Sequence, residues 1–372
     1  MHIVLSGYYG FDNVGDEAIL YSIIQAMRKV ERSVDITVLS HNPGSTMETY
    51  HVNAVSRWNF KEISRVMKKA DGLVSGGGSL LQDQTGIKSI PYYTGIIKIA
   101  QWYQKPVFIY AQGMGPIRSR LNKWIVKRTL NNVDQITVRD SNSKNLLTDI
   151  GINKSTSIVP DPVIGLDSSK FTNSWVEQQQ ISNPIIAVSV RNWPTAIPYK
   201  EKMASCLDQL VCDGYEIVFV PMHGKYDERA SKETAELMTE KSWIAPHDSS
   251  IEEKISIIGQ SRVLIGMRLH SLIFSSITCT PFVAISYDPK IDAFASICEQ
   301  TVAGHVKKDD WDDIMLLYHV NQALATGGEQ QRIFEAKVKK NQLAALDTPR
   351  LALQLFSTGV PHVSGDIGVR VK

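Results

Sequence analysis

Cysteine is scarce and scattered: Cys206, Cys212, Cys279 and Cys298 are the only four among 372 residues, and no two form a CxxC pair. That excludes a disulfide framework and fits buried thiols in a reducing cytoplasm. Nine histidines include no HExxH and no cluster at zinc spacing, so no metal is expected. No apolar run is long enough to cross a bilayer. Met1-His2-Ile3-Val4-Leu5-Ser6 has no basic n-region or cleavage site, so export is not expected. An excess of either charge is missing too. The formal net charge of +2 argues against a general nucleic-acid binder, so any anion site must be local. GxGxxG is absent, and no acidic residue closes a second strand as a nicotinamide fingerprint requires.

What is present reads as α/β. At this length two domains are expected. Short apolar runs at Ile3–Leu5, Ile36–Leu39, Gly72–Ser75, Val107–Tyr110 and Gln135–Val138 alternate with amphipathic stretches at Ala18–Val30, Phe60–Lys69 and Leu121–Asn131. That order implies a parallel sheet with helices on both faces. Ser-, Asn- and Gln-rich sequence then runs from Asp161-Pro162 to Asn183-Pro184. The pattern restarts at Ile185–Val190, Glu216–Val220, Arg262–Gly266 and Pro281–Ser286, and a helical tract spans roughly Glu329–Phe356. We divide the chain into Rossmann-like halves at 1–165 and 184–358, with a linker at 166–183 and a mobile tail at 359–372. Two such halves facing a central cleft bind ligands at the carboxyl ends of their strands.

The sharpest signal is Val263–Phe274, an apolar strand ended by Gly266 and followed at once by a helical pattern. Arg268 and His270 fall at that junction, where helix amides lack partners and the dipole favours an anion. A guanidinium suits phosphate or carboxylate, and an imidazole titrates near neutrality. Other strand ends in this half carry Arg191-Asn192-Trp193, His223 with Asp227 shortly after, and Tyr287-Asp288-Pro289-Lys290. Arg191, His223, Arg268, His270 and Lys290 on one rim would make a concentrated positive pocket for a small, highly charged substrate.

Strand ends in the first half carry Gly7–Glu17, with Asn13 and Asp16 suited to sugar hydroxyls or to helix capping. Ser75-Gly76-Gly77-Gly78-Ser79 reads as a ligand-contacting loop that starts a helix, with Asp83 one turn on. Gln112 is a candidate sugar contact, and Arg139 is a second anion ligand or the partner of a nearby carboxylate. Ile117, Leu121, Trp124 and Ile125 are read as one helical face, ringed by Arg118, Arg120, Lys123, Lys127 and Arg128. Such a helix either packs on its sheet or rests on an anionic membrane surface.

Taken in order, Asn13-Val14-Gly15-Asp16-Glu17, Gly76-Gly77-Gly78-Ser79, Gln112-Gly113-Met114-Gly115-Pro116, Arg139-Asp140, Met267-Arg268-Leu269-His270 and Tyr287-Asp288-Pro289-Lys290 resemble the polysaccharide pyruvyltransferase family, in particular its CsaB-type bacterial members. The resemblance implies a GT-B-like architecture and phosphoenolpyruvate as a substrate, with no cofactor. It implies a pyruvate ketal placed on the N-acetylmannosamine of a lipid-linked secondary cell-wall polymer precursor, the anchor for S-layer proteins. Arg268, Leu269 and His270 match its donor motif; Arg139, Arg191, His223 and Lys290 would complete the donor side. Asn13, Asp16, Gly77, Gly78 and Gln112 would line the acceptor side. With no export signal the chain is expected in the cytoplasm, and the membrane reading of the Arg118–Arg128 helix would add peripheral contact at the inner face of the membrane. A GT-B glycosyltransferase using a nucleotide sugar is the alternative. A non-catalytic sugar-phosphate binder is a third reading, under which His270 would matter little.

Overall fold

The computed structural model describes residues 1–358 apart from Thr85, Ile87 and Thr326, so the expected tail lies outside the described residues. The chain forms two compact units. The first takes Met1–Asp12, Asp16–Gly165 and the chain from Asn341 onward; the second takes Asn13–Gly15 and Leu166–Lys340. The chain passes from the first unit to the second after Gly165, its closing helix groups with the first unit, and the three residues Asn13–Gly15 group with the second.

In the first unit β1 (His2–Tyr9), β2 (Asp35–Ser40), β3 (Asn53–Ser56), β4 (Gly72–Ser75), β5 (Val107–Gln112), β6 (Gln135–Val138) and β7 (Thr156–Ile158) form one sheet. Its order is β3-β2-β1-β4-β5-β6-β7, and every pair is parallel. Ile3, Val4, Leu5, Val107, Phe108 and Ile109 are wholly buried, as continuous apolar runs in parallel sheets should be. The second unit repeats the plan with β8 (Ile185–Ser189), β9 (Glu216–Phe219), β10 (Ser242–Ile244), β11 (Ser261–Gly266), β12 (Phe282–Ser286) and β13 (Thr301–His305). The order is β10-β9-β8-β11-β12-β13, again parallel throughout. Both sheets reverse direction of growth beside their first strand, between β1 and β4 and between β8 and β11. Open α/β sheets bind ligands beyond the carboxyl ends of the strands at such a point.

Between the sheets' sequences, the linker region holds a 3-10 turn at Ser168–Lys170 and a short helix at Trp175–Gln178. The C-terminal tract is two helices, Glu329–Ala345 and Asp347–Thr358. The expected helix directly after the Gly76-Gly77-Gly78 triplet is absent. Residues 79–84 form neither helix nor strand, and the next helix begins at Ser89. Gly78 instead bridges Gln112 like a strand residue, its carbonyl accepting from Gly113 N at 2.9 Å. Its φ of +87° is a conformation that a side chain disfavours.

Candidate active site

Arg268, two residues past β11, is held in place by a carboxylate. Arg268 sits at the start of the helix Leu269–Ile277 in an extended conformation, so its side chain leaves the strand end. Its Nε donates to Asp227 Oδ2 at 2.8 Å and its Nη2 to Asp227 Oδ1. Asp227 is buried, one turn into the helix Gly224–Ala235 that follows β9. Two parallel bonds to a buried carboxylate fix the guanidinium plane, while part of the Arg268 side chain stays accessible.

Arg191 follows β8, directly across the reversal point from β11. Its guanidinium carbon lies 4.3 Å from the centre of the Tyr287 ring and 5.2 Å from that of Trp193. The Arg191 Nε is buried with no hydrogen-bond partner among the described residues. Tyr287 directly follows β12 and is itself buried. Lys290 Nζ lies 5.6 Å from the same ring and 3.9 Å from Asp288 Oδ2. Burial pushes the Tyr287 hydroxyl up, yet Lys290, Arg191 and Arg268 together hold it below the ordinary tyrosine range. Three cations from three strand ends therefore act on one hydroxyl, and their summed field outweighs its desolvation.

His270 occupies the second position of its helix and is partly exposed. A Cβ at Gly15 would stand 2.2 Å from His270 Nδ1 and 2.8 Å from its Cγ. Only glycine allows the Asn13–Gly15 segment, part of this unit, to lie so close to the ring. Val14 N donates to Met222 O at 3.2 Å, which ties the segment down, and Asn13 Oδ1 accepts from Gly15 N at 3.3 Å. The Leu269 side chain is buried, so its backbone amide is its available group. His223 precedes the helix Gly224–Ala235, with its ring 5.3 Å from that of Tyr226.

Within the first unit, Arg139 is half-buried against carboxylates. It pairs with Asp161 at 3.4 Å and Asp140 at 3.7 Å, and donates to Ser79 Oγ at 3.1 Å. Gln112 is wholly buried and donates to Ser75 Oγ at 2.8 Å. Gly77 and Gly78 are buried, and a Cβ on Gly78 would reach 2.8 Å from Asp16 Oδ1. Asp83 accepts from Arg118 N, Ser119 N and Asn122 Nδ2, which makes it a helix cap rather than a ligand contact. Among the described residues no cluster of His, Cys, Asp and Glu could hold a metal ion.

Arg191, Arg268 and Lys290 are thus brought around one point. The sequence reading missed Tyr287, on which they converge, and left Asp227, which orients Arg268, without a role. Tyr287 lay in a motif already singled out, at the strand end itself. Asp227 is separated from Arg268 by 41 positions, and only the sheet order β9-β8-β11 brings such residues together.

Comparison with known proteins narrows the chemistry. The sequence model of the family described as polysaccharide pyruvyl transferase matches residues 13–289. The amylovoran biosynthesis protein AmsJ of Erwinia amylovora is 21% identical, the match covering 93% of this chain and all of that protein. Among solved structures, S. aureus MnaA in complex with UDP superposes with a TM-score of 0.68 at 10% identity, covering 99% of this chain and 100% of that one. Anabaena HepE in complex with UDP-glucose gives 0.62 at 12% identity, covering 96% and 99%. At such identities the structural likeness speaks for fold alone: two Rossmann-like parallel-sheet domains of GT-B type.

Proposed function

Because this chain belongs to the polysaccharide pyruvyl transferase family, we propose that it transfers pyruvate from phosphoenolpyruvate, as a 4,6-ketal, to the N-acetylmannosamine of a lipid-linked secondary cell-wall polymer precursor. The product would be the anchor for S-layer proteins. Convergence of Arg191, Arg268 and Lys290 on Tyr287 carries the donor assignment. Phosphoenolpyruvate bears a phosphate and a carboxylate on a three-carbon skeleton. A compact cluster of cations beside the N-terminus of a helix suits both groups.

Protonation of the donor's methylene carbon leaves an oxocarbenium-like centre at C2. A sugar hydroxyl oxygen bonds to that carbon as its own proton leaves, and the C2–O bond to phosphate breaks. The second hydroxyl closes the six-membered ring. One donor and one diol thus give one ketal and one inorganic phosphate. His270 is the acid or base of this scheme. Arg268, held by Asp227, offsets charge on the departing phosphate together with Lys290 and Arg191. Arg139 and His223 complete the donor side in this proposal. Asn13, Asp16, Gly77, Gly78 and Gln112 serve the acceptor side, the buried ones by shaping backbone rather than by side-chain contact.

The GT-B fold also admits a nucleotide-sugar glycosyltransferase. Titration calorimetry with phosphoenolpyruvate and with UDP-sugars separates the two. Saturable binding of phosphoenolpyruvate, weakened about tenfold or more in Arg268→Lys because a point charge cannot keep the fork, is the expected result. Binding of UDP-sugars without phosphoenolpyruvate would replace this reading with the glycosyltransferase one.

A further inference from the structure

A second constructed site stands at the carboxyl ends of β1, β2 and β3, apart from every residue assigned above. Tyr8 and Phe11 from the β1 end stack with ring centres 4.1 Å apart and 5° between planes. His41, from the β2 end, continues the stack at 4.4 Å and 6°. Arg57, following β3, lies beneath it. Its guanidinium carbon is 5.0 Å from the Phe11 ring, 5.2 Å from Trp58, 4.3 Å from Tyr92 and 5.5 Å from Tyr93.

Arg57 is only 4% exposed. Its hydrogen bonds are to neutral groups, Gly7 O at 3.3 Å and Tyr93 Oη at 3.4 Å, and its Nε has no partner among the described residues. No carboxylate pairs with it among those residues. A buried cation ordinarily needs an ionic partner; here the ring faces supply partial compensation, and the positive field persists at the platform above. Tyr92 and Tyr93 are buried, but two of the rings around it are not folded away. Trp58 is 56% exposed and Tyr8 38%. The platform is also stiff. Gly10 N donates to Glu17 Oε1 at 2.7 Å, His41 N to Tyr9 O at 3.0 Å, and Arg57 N to Ser40 O at 2.8 Å. Rigid, exposed aromatic faces at strand ends suit a flat, partly apolar ligand, because little is lost in ordering them.

We infer that Tyr8, Phe11, His41, Arg57 and Trp58 form a subsite for a pyranose ring that carries a phosphate, the ring lying on the aromatic faces and the phosphate in the field of Arg57. The inference rests on the lipid-linked saccharide acceptor proposed above and adds the place in the fold where its glycosyl phosphate is recognised. Arg57 acts through its field and by fixing the rings; Trp58 and Tyr8 make the contact.

N-acetylglucosamine 1-phosphate, N-acetylglucosamine and inorganic phosphate serve as probes, read by calorimetry and by saturation-transfer NMR on the full chain. The glycosyl phosphate should bind best. Trp58→Ala and Tyr8→Ala should each weaken it about tenfold, the share of one good aromatic contact. Thermal melting should show that these exposed positions leave the fold intact. Failure of the glycosyl phosphate to bind the wild type, unchanged affinity in both variants, or equal binding of inorganic phosphate would overturn the inference. Phosphoenolpyruvate titrated separately reads the proposed function alone, so its failure to bind would sink that reading and leave the sugar result standing.

Discussion

Gly15 shows how little room the chemistry has. Its hydrogen is the only substituent that fits against His270, and Val14 N is tethered at Met222. Gly15→Ala should therefore turn the imidazole aside and lower kcat about a hundredfold, the cost expected of a misplacement near an ångström. The melting temperature should hardly move, since no core side chain is touched. A variant with wild-type turnover in a phosphate-release assay would remove His270 from the mechanism as described. The same scale explains what the sequence disclosed. Arg268, His270, Arg191 and Lys290 were legible because each directly follows an apolar run that could only be a strand. Arg57 was not, because β3 is four residues long and only Val55 of its Asn-Ala-Val-Ser is buried, so it gives no recognisable run. Asp83, placed one turn past the glycine triplet by its sequence, is held as a cap by three donors at the start of the helix Arg120–Leu130.

Edge elements were hardest to read for a related reason. β3, β7, β10 and β13 have partly exposed residues and no continuous apolar run, whereas β4, β5, β6, β8 and β12 are buried end to end. The glycine triplet misled because its backbone bridges Gln112 instead of opening a helix. The helix Arg120–Leu130 differs from its expected packing. Asn122, Val126, Thr129 and Leu130 face inward, while Leu121 and Trp124 are 64% and 56% exposed beside Lys123, Lys127 and Arg128. No described helix is long and apolar enough to cross a membrane. We propose that this outward face touches an anionic bilayer, where apolar rings and lysines act together. Replacing Lys123, Lys127 and Arg128 by Glu should reduce sedimentation with phosphatidylglycerol vesicles; equal sedimentation would contradict it. In the helix Ile251–Gly259, Lys254 is wholly buried and donates to Pro246 O and His247 O. Burial lowers its ammonium to about 8, against the opposing pull of Asp248 and Glu253. The unfolded chain then binds the proton more tightly, so the stability deficit is full below that value and shrinks as pH rises toward the unfolded lysine pKa of about 10.4. Lys254→Met should flatten this rise in chemical denaturation between those limits; a rise of unchanged slope in the variant would assign it to other groups.

At the scale of the molecule, one plan is used twice: a parallel sheet with its reversal point beside the first strand. Alternation of short apolar runs with amphipathic stretches was enough to reveal both sheets, and the family match over residues 13–289 spans both. Return of the chain from Asn341 to the first unit was not legible, because nothing in an amphipathic helix names the sheet it covers. The division of labour follows from the strand ends. Cations gather where β8, β11 and β12 finish, and aromatic rings where β1, β2 and β3 finish. A small trianion and a glycan are the two reactants that such ends suit. The most direct test supplies phosphoenolpyruvate with a lipid-diphosphate-linked N-acetylmannosaminyl disaccharide and follows phosphate and product mass, wild type beside His270→Ala. The account predicts acceptor-dependent phosphate release, a product heavier by one pyruvate ketal, and loss of both in the variant. Pyruvylation that proceeds unchanged in His270→Ala, or phosphate released with no ketal on the sugar, would contradict it.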